Sequence, residues 1–167
     1  MQDLIKQEQF ELEVLERLNS GRFLAHFVFS GGTALRLCFG LNRFSVDLDL
    51  WLAKNADTKA LFKELKTYLA SFYKIKDSAN KFYTLLFEIR SNTYPRSLKI
   101  EIRKEVKKVR TEQAIAYSPY SNTQVLLRVV ALEDMMKAKI ETFLERKEIR
   151  DIFDMELGFW GTILGLF

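Results

Sequence analysis

Thiols, imidazoles and long apolar runs are scarce in this chain, and each shortage removes a class of answer. One cysteine, Cys38, in 167 residues excludes an internal disulfide framework and a cysteine-based zinc site, which fits a reducing cytosol. Cys38 itself reads as a core residue. One histidine, His26, stands before an apolar strand without a companion nucleophile motif, so it reads as structural and not as half of a Ser/His pair. No signal peptide is expected, because Asp3, Lys6, Glu8, Glu11 and Glu13 fill the stretch where an apolar region would be needed. The apolar, uncharged run Leu157 to Phe167 is too short to span a bilayer. Repeats, low-complexity tracts and linkers are missing too, which leaves no argument for two domains. Together these absences predict one soluble, cytoplasmic domain over residues 1–167 that makes no membrane contact.

Apolar surface is plentiful. A hydrophobic share of 48% and an aromatic share of 13% supply enough to bury that the chain must fold. Lys+Arg 26 against Asp+Glu 22 gives a net charge of +4, which suits nucleotide or RNA without singling out either.

The stretch from Phe27 to Trp51 organises the rest. Phe27-Val28-Phe29 is a short apolar strand, Ser30-Gly31-Gly32-Thr33 reads as a turn, and Ala34 to Phe39 suits a short helix that Gly40 ends. The chain returns through Asn42-Arg43-Phe44-Ser45 into a second strand. There Val46, Leu48 and Leu50 alternate with Asp47 and Asp49, so a period of two sets both carboxylates on one face. Close like charges favour a hard divalent cation between them, which makes Asp-x-Asp a candidate cradle for Mg2+ or Mn2+. Gly31 and Gly32 allow close backbone approach, and a helix N-terminus near Thr33 offers N–H groups to a phosphate. Alone, a Gly-Gly pair is most often only a turn and Asp-x-Asp only a solvated face; their combination is the stronger signal.

Around this stretch the chain alternates helical and strand patterns. Residues 3–19 suit an amphipathic helix with Phe10, Val14, Leu15 and Leu18 inward and its charges on a solvated face. Asn55-Ala56-Asp57-Thr58 starts a helix whose stripe is Leu61, Leu65, Leu69 and Phe72, ending near Tyr73. Lys81 to Arg90 alternates as a half-buried strand with Tyr83, Leu85, Phe87 and Ile89 on one face. After a turn at residues 91–95, Leu98, Ile100 and Ile102 face one way and Lys99, Glu101 and Arg103 the other, so Glu101 is a further acid on a polar strand face. Residues 103–110 carry five basic side chains in eight, either a solvated segment or a guide for a polyanion such as RNA. Val125 to Val130 is a further strand. The next helix has the stripe Leu132, Met135, Met136, Ile140, Phe143 and Leu144, with Lys139 on or beside its inward side, where it snorkels or meets anionic groups. Lys137 points the other way.

Strand, Gly-Gly-Thr, helix, thirteen intervening residues and Asp-x-Asp on a strand resemble the nucleotidyltransferase signature of the DNA polymerase β-like superfamily. Arg43-Phe44-Ser45-Val46-Asp47-Leu48-Asp49 narrows the likeness to the AbiEii/AbiGii-type nucleotidyltransferase toxins. Lys139, then Arg146 and Arg150-Asp151-Ile152-Phe153-Asp154-Met155, is similar to that family's later pattern. The resemblance covers Phe27 to Met155. It implies an α/β (α+β) fold with a small mixed sheet against helices, a core over residues 20–110 and a helical part over 131–167. It implies metal ligation by Asp47 and Asp49, completed by Glu101 as third carboxylate and aid to the attacking hydroxyl. Ser30, Gly31, Gly32 and Thr33 then hold phosphate, Arg43 and Ser45 orient the face, Lys139 contacts nucleotide phosphates and Asp151 supports the site. The activity implied is transfer of a nucleotide from an NTP to RNA, tRNA above all, by the toxin of a toxin–antitoxin or phage-defence pair whose antitoxin is encoded separately. Transfer to a small molecule, or a nucleotide- or partner-binding module without turnover, are the alternatives. Family members continue through further helices, whereas this chain stops soon after the Arg-Asp motif with an apolar, glycine-punctuated end; the departure bears on acceptor recognition more than on chemistry.

Overall fold

The structure, a computed structural model, describes residues 1–146, the side chain of Arg146 excepted. Along these residues run α1 (Gln2–Ser20), β1 (Phe27–Ser30), α2 (Gly31–Phe39), β2 (Asp47–Leu52), α3 (Thr58–Ala70), β3 (Lys74–Asn80), β4 (Thr84–Arg90), β5 (Leu98–Arg103), β6 (Thr111–Ala116), β7 (Val125–Val130) and α4 (Leu132–Arg146). A 3-10 turn at Phe23–His26 leads into β1. The strands of the described residues form one mixed sheet in the order β3-β4-β5-β2-β1-β7-β6. β1 runs antiparallel to β2 and parallel to β7, and β2 runs parallel to β5.

One face of this sheet is apolar and closed. Leu48 and Leu50 of β2, Ile100 and Ile102 of β5, Leu85 and Phe87 of β4, and Phe29 of β1 fall in register on it, all buried. Burying a large aliphatic or aromatic side chain contributes about 1.5–3 kcal/mol, so this layer is the main reason the sheet holds. α3 covers one side of the face, with Phe62 stacked on Phe87 at 5.0 Å between ring centroids. α1 covers another, its Phe10 stacked on Tyr94 at 4.6 Å and edge-on to Tyr73 at 5.4 Å. Asp57 caps α3, its carboxylate accepting from the backbone N–H of Lys59 at 2.9 Å and of Ala60 at 3.1 Å. The predicted stripe of α3 is buried at Leu61, Leu65 and Leu69, but Phe72 lies past the helix and is exposed.

Several expectations are corrected. The strand β1 passes straight into α2, which begins at Gly31 and not at Ala34, so no separate turn intervenes; Gly40 ends the helix in the left-handed region as expected. Val46 precedes β2 and is exposed, leaving Leu48 and Leu50 as the inward residues. β4 begins at Thr84, which leaves Tyr83 outside the strand and exposed. The strands β3 and β6 carry no strong alternation; each is an edge strand with little to bury. The charged side chains of α1 do not all meet solvent: Glu8 and Glu11 are buried, as is the neutral Gln7. Glu8 accepts from Arg36 Nε at 2.7 Å and from the Ser118 hydroxyl, so Arg36, which also donates to the Leu41 carbonyl at 3.0 Å, ties α1 to α2. Residues 147–167, which include Asp151, Asp154 and the apolar end, lie outside the described residues.

Candidate active site

The opposite face of the central strands is polar and half open, and it carries the acids. Asp47 and Asp49 project from β2, and the parallel pairing of β2 with β5 sets Asp49 beside Glu101 and Asp47 beside Lys99. Period two within each strand and in-register pairing between them bring three carboxylates onto one patch. Lys99 Nζ lies 3.0 Å from Glu101 Oε2 and offsets part of the charge. Burial pushes the Asp49 carboxyl above the ordinary aspartate range, and Glu101 and then Asp47 push it the same way; Arg103 and Lys139 pull it back. Proximity of Lys139, a half-buried residue of α4, is therefore felt at Asp49, while Lys137 is exposed and sits 3.8 Å from Asp134.

The start of α2 closes in from the neighbouring strand. Ser30 pairs with Asp49 across β1 and β2, and its hydroxyl donates to the Asp49 carbonyl at 3.4 Å. The Thr33 hydroxyl donates to the Asp47 carbonyl at 2.5 Å. Both hydroxyls are thus engaged with the backbone of β2; beside them Gly31 is half-buried and Gly32 is buried. Gly31 has φ of +79°, and a Cβ there would stand 2.4 Å from Asp49 Oδ2. A Cβ on Gly32 would stand 2.9 Å from Ser45 Oγ and 3.3 Å from Arg43 Nη2. Glycine is required at Gly31 by its φ and by close approach, and the distances at Gly32 put Arg43 and Ser45 against the first turn of α2. Arg36 holds the loop that carries them, its guanidinium 4.5 Å from the Phe44 ring centroid.

These residues suit a hard cation, but not a cage made by the protein alone. No group of three or more His, Cys, Asp or Glu side chains among the described residues is arranged to hold a metal ion by itself. Mg2+ is commonly held by one or two carboxylates together with substrate phosphates, and the oxygen-only pair Asp47 and Asp49, mutually repelling and next to the start of α2, fits that mode. Glu101, drawn to Lys99, stands beside them.

Of the residues expected at the site, the structure brings together Ser30, Gly31, Gly32, Thr33, Arg43, Ser45, Asp47, Asp49, Glu101 and Lys139; Asp151 lies outside the described residues. Lys99 and Arg103 are additions whose signal was already in the alternation of β5. Glu11 had no such signal: it is buried with neither carboxylate oxygen hydrogen-bonded, and burial, then Glu8 and Asp47, hold its pKa well above the usual range. His26 is half-buried in the turn before β1, and burial pushes the Cys38 thiol up to about 12, which keeps it protonated.

Two solved structures are similar in fold. A candidate nucleotidyltransferase from H. pylori is 23% identical with a TM-score of 0.57, covering 87% of this chain and 65% of its own. The JHP933 protein from Helicobacter pylori is 22% identical with a TM-score of 0.56, covering 87% and 63% respectively. The present chain thus spans slightly less than two thirds of the length of either. No curated protein matches it. A family model described as the nucleotidyl transferase AbiEii toxin of a type IV toxin–antitoxin system matches residues 13–158, from the middle of α1 to beyond α4. With that match running through the acid face, the start of α2 and the helix of Lys139, the chain belongs to the AbiEii nucleotidyltransferase toxin family.

Proposed function

We propose that this protein transfers a nucleotide from an NTP to a hydroxyl of an RNA acceptor, tRNA being the leading class, as the toxin of a toxin–antitoxin or phage-defence pair. The observation that carries the reading is the convergence of Asp47, Asp49 and Glu101 on one sheet face, with Gly31 pressed against Asp49. Asp47 and Asp49 hold Mg2+ or Mn2+, which when bound neutralises triphosphate charge and draws electron density from the reacting phosphorus. The backbone at Gly31 and Gly32, at the positive end of α2, receives phosphate oxygens. Lys139 offsets charge that builds on the leaving pyrophosphate, and Arg43 and Ser45 shape the same corner. The family likeness assigns Asp151 a supporting role at the site. The acceptor oxygen forms a bond to the α-phosphorus as the bond to pyrophosphate breaks, and the hydroxyl proton passes to Glu101 or to water.

The family description supports a cognate antitoxin. The test is incubation of the purified protein with each labelled NTP, Mg2+ and total RNA, alongside Asp49→Asn. Asn keeps the shape of the side chain and removes a carboxylate that burial disfavours, so the variant is expected to fold at least as stably. Its transfer is expected to fall by at least about a hundredfold, the usual scale for losing a preorganised electrostatic group. Undiminished labelling by Asp49→Asn sinks the site assignment.

A further inference from the structure

One step along the strands from the Asp49–Glu101 row, the same face changes character. The next row runs Thr84, Arg103, Trp51 and Val28, and the parallel register of β1 with β7 continues it to Arg128. Two residues of strand advance about 7 Å, so this row is within a short reach of the acids. Its charge is positive: Arg103 and Arg128 are exposed, and Lys107 lies over the Trp51 ring at 4.6 Å. Trp51, Lys107 and Arg128 line a recess of about 150 Å³. Within the basic run, Arg110 is bound to Glu133 and Asp134, and Lys104 braces the β3–β4 turn through Asn80 at 2.6 Å. Arg103, Lys107, Lys108 and Arg128 make no ion pair among the described residues, and Glu105 is the acid interspersed with them.

Beyond Thr84, at the same end of the sheet, stands the turn that joins β3 to β4. Phe82 is 83% exposed and Tyr83 75% exposed, their rings edge to face at 4.6 Å. The turn is held in place, because Lys104 donates its backbone N–H to the Tyr83 carbonyl at 2.9 Å and Lys81 donates to that of Thr84 at 2.8 Å. Two large rings on a braced turn beside unpaired cations serve neither core nor capping. Cations along a track with aromatic platforms suit a single strand of nucleic acid, whose phosphates take the charges and whose unstacked bases take the rings.

We propose that the Arg103–Trp51–Arg128 row, with Lys107, Lys108 and the Phe82–Tyr83 turn, is the docking track for the single-stranded end of the RNA acceptor, leading it to the acids. This inference rests on the nucleotidyl-transfer reading of the site and names where its acceptor lies. The experiment uses the full chain and a fluorescein-labelled RNA hairpin with a single-stranded 3′ tail, read by anisotropy over a salt series, with a blunt hairpin for comparison. Mg2+-dependent NTP binding is measured on the same samples. Expected for Phe82→Ala/Tyr83→Ala is RNA binding about tenfold to a hundredfold weaker with an unchanged salt slope, since stacked bases carry no net charge. Expected for Lys107→Gln/Lys108→Gln/Arg128→Gln is a slope shallower by about two, and the blunt hairpin binds more weakly than the tailed one. Both variants should keep the wild-type melting temperature and NTP binding, the altered side chains being on the surface. Wild-type affinity for tailed RNA in the aromatic variant, equal binding of blunt and tailed RNA, or no RNA binding by the wild type overturns the track. Failure of NTP binding with RNA binding intact would instead strike the transfer reading and leave the track standing.

Discussion

At Asp49 the chemistry of one residue is set by its surroundings. Its carboxyl is raised by burial, by Glu101 and by Asp47, so the metal-free site holds its proton to higher pH than a free aspartate, whose pKa is about 3.9. Cation binding must displace that proton. Mg2+ affinity is therefore expected to rise with pH above the ordinary aspartate range, with proton release detected by calorimetry in buffers of different ionisation enthalpy; binding without proton release as the pH is lowered from neutral argues against Asp49 as a ligand. Glu11 is a second raised acid, and the sign of its effect on stability follows. The folded state holds a proton that the unfolded state gives up above its pKa of about 4.3, so stability falls as pH rises from there toward the folded pKa. Glu11→Gln is expected to melt above the wild type at neutral pH, the difference vanishing toward pH 4; a constant difference across that range would mean that Glu11 is ionised when folded. At this scale Asp47, Asp49 and Glu101 were legible, because period-two alternation assigns a strand residue its face. Glu8 and Glu11 were not, because a charged helix reads as solvated until a partner such as Arg36 is known.

The element that shapes the site is α2, through its first residue. Gly31→Ala meets both a positive φ and a carboxylate oxygen 2.4 Å from the new Cβ. A stability loss of about 1–3 kcal/mol is expected from the strain. Transfer should be lost beyond that loss, because Asp49 must move; urea melts and labelled-NTP turnover on the same sample check the pair of effects, and a variant with wild-type turnover would show that the corner is not engaged. A helix start three residues earlier than Ala34 has a physical reason. Ser30 leaves β1 extended, and the left-handed φ of Gly31 lets the chain turn at once into α2, so no loop is needed. The central strands could be read because their apolar faces are complete. The strands β3 and β6 could not, since Lys74–Asn80 and Thr111–Ala116 lie at the sheet edges and become strands by pairing with β4 and β7.

Over the whole molecule, α1 is the piece on which closure of the core depends. Its Phe10 is fully buried between Tyr73 and Tyr94, whose hydroxyls donate to Glu13 at 2.8 Å and 2.7 Å. Residues near the N-terminus are thereby fastened to the end of α3 and to the connection between β4 and β5. Phe10→Ala is expected to cost about 3–5 kcal/mol, lowering the urea midpoint with an unchanged slope, and with circular dichroism and tryptophan fluorescence moving together. Separate transitions would show that α1 is an independent unit. No helix among the described residues is long and apolar enough to cross a membrane.

Local order along the chain was sufficient for the faces of β2, β4 and β5, the helix start at residues 55–58, the stop at Gly40 and the family likeness, because each depends on neighbours within a few residues. Strand order, the union of Asp49 with Glu101, the burial of Glu8 and Glu11, and the nearness of Lys139 to Asp49 were decided only by the tertiary structure. They depend on the parallel pairing of β2 with β5 and on the packing of α1 and α4, contacts between segments far apart in sequence that no short-range period encodes.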